Sequence, residues 1–125
     1  MIAADTSVLV AYFAGGNGED LEFLDRALLQ GILALPPVVL SEILCARGMT
    51  PDLQRRLIAI PRLEILEGYW ERAGETRAGL LARRLKARLA DTLVAQSCID
   101  HQVPLLTRDK DFRHFAKHCG LRLAQ

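Results

Sequence analysis

The sequence predicts an α/β fold: a mostly parallel, roughly five-stranded sheet between two helical layers. Three observations carry this. Short apolar runs of strand length (IAADT, ILAL, RLEIL, VPLL and LRL) recur along the chain. Stretches with helical spacing and helix punctuation separate them. A chain of 125 residues, 50% hydrophobic and 25% charged, can also bury one substantial core, which predicts a single domain over 1–125.

In chain order, IAADT reads as a short buried strand. SVLVAYF is apolar enough for a core-facing helix or a continuation of that strand, and GGNG at 15–18 breaks it. From about Glu19 a helix places Leu21, Leu24, Leu28 and Leu29 on one face, with acids near its start as the helix dipole prefers. ILAL is the second strand. In PPVVLSEILCARG, Pro37 is placed to open a helix and Gly48 to close it. TPDLQRRLIAI repeats the device, with Thr50 as N-cap and Pro51 at the first helical position. RLEIL alternates as a third strand. YWERAGETRAGLLARRL reads as a long polar helix with a thin apolar stripe, and DTLVAQSCIDH as a shorter one beginning at Asp91. VPLL is a fourth strand, KDFRHFAKH a last helix ended by Gly120, and LRL a fifth strand. Ligands of such sheets gather beyond the carboxyl ends of the strands. Asp5 directly follows a strand, and so does TRDKD after VPLL.

Composition narrows the function classes. Nothing approaches the roughly 18 uninterrupted apolar residues of a membrane span. The N-terminus lacks the basic lead and small-residue cleavage site of a signal peptide. Cys45, Cys98 and Cys119 are widely spaced, odd in number and without a metal-binding spacing, so they read as reduced packing residues of a cytoplasmic protein. Net charge is only +1, but residues 1–75 hold 6 Lys/Arg against 11 Asp/Glu, whereas residues 76–125 hold 10 against 4. Within the second half, TRAGLLARRLKARLA carries Arg77, Arg83, Arg84, Lys86 and Arg88 and no acid. Such a stripe is either a solvated helix face or a surface for a phosphate backbone.

Four acids are out of place. Most of the fifteen sit in polar company, but Asp5 (IAADTSV), Glu42 (VVLSEIL), Asp91 (RLADTLVA) and Asp109 (PLLTRDKDF) adjoin runs that must be core. Val38, Val39, Ile43, Leu44 and Ala46 make the helix of Glu42 apolar nearly all round, which predicts an interior Glu42 with no cation nearby in sequence. Asp5 or Asp91 alone could be a helix cap, and Asp109 a turn residue. Together at one sheet edge, four carboxylates would repel one another and raise one another's pKa values unless a cation is present. All-oxygen ligation without His or Cys suits Mg²⁺ or Mn²⁺ rather than Zn²⁺. Other constellations are weak. His114 and His118 have i, i+4 spacing but lack a neighbouring general base, GGNG lacks the GK[ST] of a phosphate loop, and Ser7, Ser41 and Ser97 lack a GxSxG context.

ADTSVLVAYF, VVLSEIL, ADTLVAQSCI and PLLTRDKDFRHF, in this order and spanning essentially the whole chain, resemble a PIN-domain ribonuclease of the VapC toxin type. The resemblance implies a five-stranded, three-layer PIN fold and a metal-binding acidic cluster of Asp5, Glu42, Asp91 and Asp109. Thr107 and Thr6 or Ser7 match hydroxyls that orient ligands or water, and Asp111 competes with Asp109 for the ion. It also implies a cognate VapB-like antitoxin covering an apolar groove, an RNA substrate and a homodimer. The chemistry would be Mg²⁺- or Mn²⁺-dependent hydrolysis leaving 5′-phosphate and 3′-hydroxyl ends. Arg83, Arg84, Lys86 and Arg88, immediately before Asp91, would steer RNA toward the anionic pocket. Competing readings are a PIN nuclease of RNA maturation or decay, and a non-catalytic acidic pocket holding a partner's arginine. An aspartyl-phosphate phosphatase would need an aspartate where Ser7 stands.

Overall fold

A computed structural model describes residues 1–124; Gln125, the last residue of the expected domain, lies outside the described residues. Its sheet is parallel, with three strands: β1 (Ile2–Ala4), β2 (Leu33–Ala34) and β3 (Leu105–Leu106), in the order β2-β1-β3. Ile2 faces Leu33 and Ala3 faces Ala34 on one side of β1, while Ala3 faces Leu105 and Ala4 faces Leu106 on the other. All seven strand residues are buried. Covered on both faces, they read as continuous apolar runs rather than as an alternation.

The expected third and fifth strands contract to single parallel bridges, Leu35 with Arg62 and Leu105 with Leu123, so the sheet has three strands rather than five. The cause at the first is local. Pro61 has no N–H to give and only its carbonyl pairs, with Leu35. Pairing ends two residues after Arg62, where the Glu64 carbonyl is taken by the His101 ring.

Among the described residues, seven helices connect and cover the strands: α1 (Thr6–Phe13), α2 (Glu19–Gln30), α3 (Pro37–Leu44), α4 (Pro51–Ala59), α5 (Tyr69–Ala82), α6 (Leu89–His101) and α7 (Phe112–Cys119). Several of their ends follow the sequence signals. Thr50 caps α4 by accepting from the Leu53 amide, Pro51 follows it, and Gly31 and Gly120 end α2 and α7 in left-handed conformations. α6 packs on α3, α5 and α7, and α1 packs on α2 and α3. Leu24, Leu57, Phe112 and Phe115 fill the core with the strand residues. Of the cysteines, Cys98 packs there, its thiol pushed up to about 12 by burial; Cys119 is half-buried and Cys45 is exposed, so the packing role fails for Cys45.

Two helices are shorter than expected. α3 ends at Leu44, where the Cys45 amide turns back to the Glu42 carbonyl, four residues before the Gly48 expected to close it. α5 stops at Ala82, short of Arg83–Leu85, because the Arg84 and Leu85 amides turn back to the Leu81 and Leu80 carbonyls and Arg84 takes φ 60°. That is the hydrogen-bond pattern of a Schellman stop with arginine in the position glycine prefers. Arg84, Lys86 and Arg88 therefore sit on an exposed loop between α5 and α6 rather than along a helix.

Sheet order decides where a site can form. The chain leaves β1 for β2 on one side and later returns to pair β3 on the other. The crevice beyond the carboxyl ends of β1 and β3 is the topological switch point. Asp5 follows β1 there, and Thr107 follows β3.

Candidate metal centre

Asp5 is the N-cap of α1 and also reaches across the switch point. Its Oδ1 accepts from the Val8 amide at 3.1 Å, as an N-cap of α1, and from Ser7 Oγ at 2.7 Å. Its Oδ2 accepts from Thr107 Oγ1 at 2.5 Å, across the switch point. The side chain is 5% exposed. Burial pushes its pKa up, the three hydrogen bonds pull it back, and the nearby Asp109 charge pushes it up again. Ser7 and Thr107 thus hold the Asp5 carboxylate. Thr107 Oγ1 accepts in turn from the Asp109 amide at 2.9 Å, and Ser7 Oγ from the Arg108 amide at 3.0 Å, so β1 and the TRDKD loop are tied together.

Three carboxylates converge on this loop. One oxygen from each of Asp91, Asp109 and Asp111 lies within 4.8 Å of the others. Asp91 stands in the first turn of α6, two residues inside it rather than at its start, and makes no capping bond; Arg88 is the N-cap. Burial raises its pKa to about 6, with Asp109, Glu42 and Asp111 adding to the rise and Arg88 opposing it. Asp109 Oδ1 accepts from the Asp111 amide at 2.9 Å, so the turn role expected of Asp109 holds without removing it from the cluster. Asp111 also pairs with Lys86 at 3.0 Å.

Glu42 departs from expectation: it is exposed, not interior. The eight residues of α3 bury only Val39 and Ile43, leaving Ser41 and Glu42 on its open edge. There Thr6 Oγ1 donates to Glu42 Oε1 at 2.8 Å, and the Glu42 charge is felt at Asp91. The structure therefore brings Asp91, Asp109 and Asp111 into one group, couples Asp5 to Asp109, and leaves Glu42 at the rim. His114 and His118, half-buried on α7, lie outside the carboxylate group.

Such a donor set fits a hard dication: carboxylate oxygens, several without a cationic partner, one of them with a raised pKa that a positive charge would reverse. Of the basic stripe, Arg77 donates to the Ala87 carbonyl at 2.7 Å and so shapes the loop, Lys86 reaches Asp111, and Arg88 is close enough to lower the pKa of Asp91. Arg83 lies beside His118 of α7 and pushes its pKa down, after burial. No sequence motif marks the clamp in which Arg108 grips Asp20 through Nε and Nη2, at 2.5 and 2.9 Å, and donates to the Asn17 carbonyl at 2.9 Å.

A PIN domain profile matches residues 2–118. The chain belongs to the PIN domain family. Solved structures share its fold along nearly the whole length. VapBC2 from Rickettsia felis, bound to a DNA fragment from its promoter, contains a chain 19% identical with TM-score 0.73, covering 99% of this PIN domain and 98% of the other chain. FitAcB from Neisseria gonorrhoeae gives 18% identity and TM-score 0.73, with coverages of 100% and 97%. VapBC-5 from Mycobacterium tuberculosis, of the VapBC family of toxin-antitoxin systems, gives 20% and 0.63, with 99% and 97%. In this PIN domain, among the described residues, no helix is long and apolar enough to cross a membrane.

Proposed function

We propose that this protein, a single PIN domain over 1–125, is a metal-dependent endoribonuclease and the toxin of a VapBC-type pair, leaving 5′-phosphate and 3′-hydroxyl ends. The observation that carries the reading is the convergence of Asp91, Asp109 and Asp111 beside Asp5 at the switch point of a PIN fold. These residues, with Glu42 at the rim, would hold Mg²⁺ or Mn²⁺. When bound, the ion supplies a water of lowered pKa and offsets charge on the phosphodiester. The protein's own part is positioning. Thr107 and Ser7 fix both oxygens of Asp5, Thr6 fixes Glu42, and the Asp109 side chain is fixed by the Asp111 amide. Lys86 and Arg88 stand against this acidic centre and would offset its repulsion of RNA, with Arg83 and Arg84 extending the positive charge along the same exposed loop.

Two partners belong to the same proposal. An apolar groove of about 280 Å³ lined by Val10, Phe13, Ile43, Met49 and Leu53 suits the apolar face of a helix from a VapB-like antitoxin. A second copy of this chain would cover Trp70, 60% exposed, and the exposed Ile65 that shares its groove. The test is cleavage-site mapping on total RNA with Mg²⁺, Mn²⁺ and chelator arms and Asp5→Asn as control. The proposal requires metal-dependent cuts with the stated ends that vanish in the variant. Cuts that survive in Asp5→Asn would point to a binding module contaminated by another nuclease. Cuts without growth arrest on expression would favour RNA maturation or decay.

A further inference from the structure

A second cationic surface adjoins the carboxylates from the other side of α7. A cavity of about 320 Å³ is lined by Thr107, Arg108, Asp109, Lys110 and Arg113, with Leu123 and Ala124 as its apolar wall. Thr107 and Asp109 are shared with the acidic centre, so the cavity opens directly against it. The wall is held in place by the chain end, where the Leu105 amide donates to Arg122 and the Ala124 amide to Leu105. Arg108 is committed to Asp20, but Lys110 and Arg113 are exposed and, among the described residues, form no ion pair.

Helical geometry separates this surface from the stripe before Asp91. Lys86 pairs with Asp111, and Arg83 acts on His118, so the α5–α6 loop lies along the 111, 114, 118 side of α7. Arg113 is two residues on from Asp111, hence about 200° round the helix axis, on the opposite side. The carboxylates therefore lie between two separate cationic flanks.

Resting on the nuclease reading above, we propose that this cavity binds a second phosphate of the RNA strand, with Lys110 and Arg113 as its partners and Leu123 against the adjoining ribose. One strand then runs from Lys86 and Arg88, past the carboxylates, to Lys110 and Arg113. Gripped on both sides of the bond to be cut, the preferred substrate is the interior of a single strand rather than its end.

The test is anisotropy titration of a fluorescein-labelled oligouridylate of about 12 nucleotides in chelator at several salt concentrations. The proteins are wild type, Lys110→Gln, Arg113→Gln, the double variant, Lys86→Gln, and Arg55→Gln as a remote surface cation. Each lost phosphate contact makes the slope of log K against log salt shallower by ~0.7. Lys110→Gln and Arg113→Gln should each show this with several-fold weaker binding, their effects should add to that of Lys86→Gln, and Arg55→Gln should match wild type. If Lys86→Gln weakens binding while Lys110→Gln and Arg113→Gln leave affinity and slope unchanged, the cavity is off the RNA path and the nuclease reading stands. If wild type binds no RNA at any salt, the cavity is no phosphate site, and the metal-dependent nuclease reading is decided separately by the cleavage mapping above.

Discussion

Asp91→Asn should stabilise the metal-free protein at neutral pH. The Asp91 pKa rises from 3.8 to about 6, so the folded state holds a proton that the unfolded state has released. Stability from this group is therefore full below pH 3.8 and falls as pH rises through about 6. Taken whole, the rise corresponds to ~3 kcal/mol at 1.36 kcal/mol per pH unit. Asp91 is only half-buried, and solvent screening brings this to ~1.5 kcal/mol. The first turn of α6 favours a negative charge by ~0.5 kcal/mol, which asparagine forfeits. A net gain of ~1 kcal/mol is left, about 3–4 °C in Tm for a chain of this size. Melting in chelator at pH 7.5 should show it, and at pH 3.5 the two proteins should melt together. Asp5, whose pKa is also raised by burial, contributes with the same sign in both proteins and cancels. Adding Mn²⁺ at about 100-fold over its Kd should then stabilise wild type by ~2.7 kcal/mol and the variant by far less, reversing their order. An Asp91→Asn protein that melts below wild type in chelator at pH 7.5, or gains as much from Mn²⁺, refutes the reasoning.

Asp5 separates two roles. Asp5→Asn keeps an oxygen for the Val8 amide and should fold normally while losing cleavage, whereas Asp5→Ala should also lose ~1 kcal/mol as a missing N-cap, read by urea denaturation. Gln102, in a left-handed conformation at φ 54° after α6, should accept glycine with a gain of ~1 kcal/mol, seen as a higher midpoint at unchanged slope. At Gly18, φ 134°, a Cβ would come within 2.7 Å of Asp20 Oδ1 and 3.2 Å of Arg108 Nη2, so Gly18→Ala should cost ~1–3 kcal/mol and disturb the clamp. Gly15→Ala, also at positive φ but with nothing within 4 Å, should cost less; equal losses would mean that the clamp adds nothing.

Much of this was legible in the chain because core acids betray themselves by their neighbours. Asp5, Asp91 and Asp109 stand next to apolar runs, and Pro37, Thr50 and Gly120 mark helix ends by chemistry that acts locally. Glu42 misled because an apolar helix of eight residues need not be covered all round, and its Thr6 partner is 36 residues away. The stop after Ala82 carried no glycine signal: Arg84 is held in a left-handed turn by two backbone hydrogen bonds that only the folded loop supplies. Edge pairing at Arg62 and Leu123 depends on neighbours that sequence spacing does not reveal. The Arg108–Asp20 clamp, bridging 88 residues, was invisible for the same reason, and with it the fact that Arg108 is occupied while Lys110 and Arg113, among the described residues, form no ion pair.

β1 opens the chain yet is the middle strand, and the neighbour that completes its far side arrives only at β3. A nascent polypeptide whose residues 105–111 are still inside the ribosomal exit tunnel consequently has Asp5 without Thr107 against it, and Asp91 without Asp109 or Asp111. The acids can therefore meet only once residues 105–111 have emerged and β3 has paired with β1.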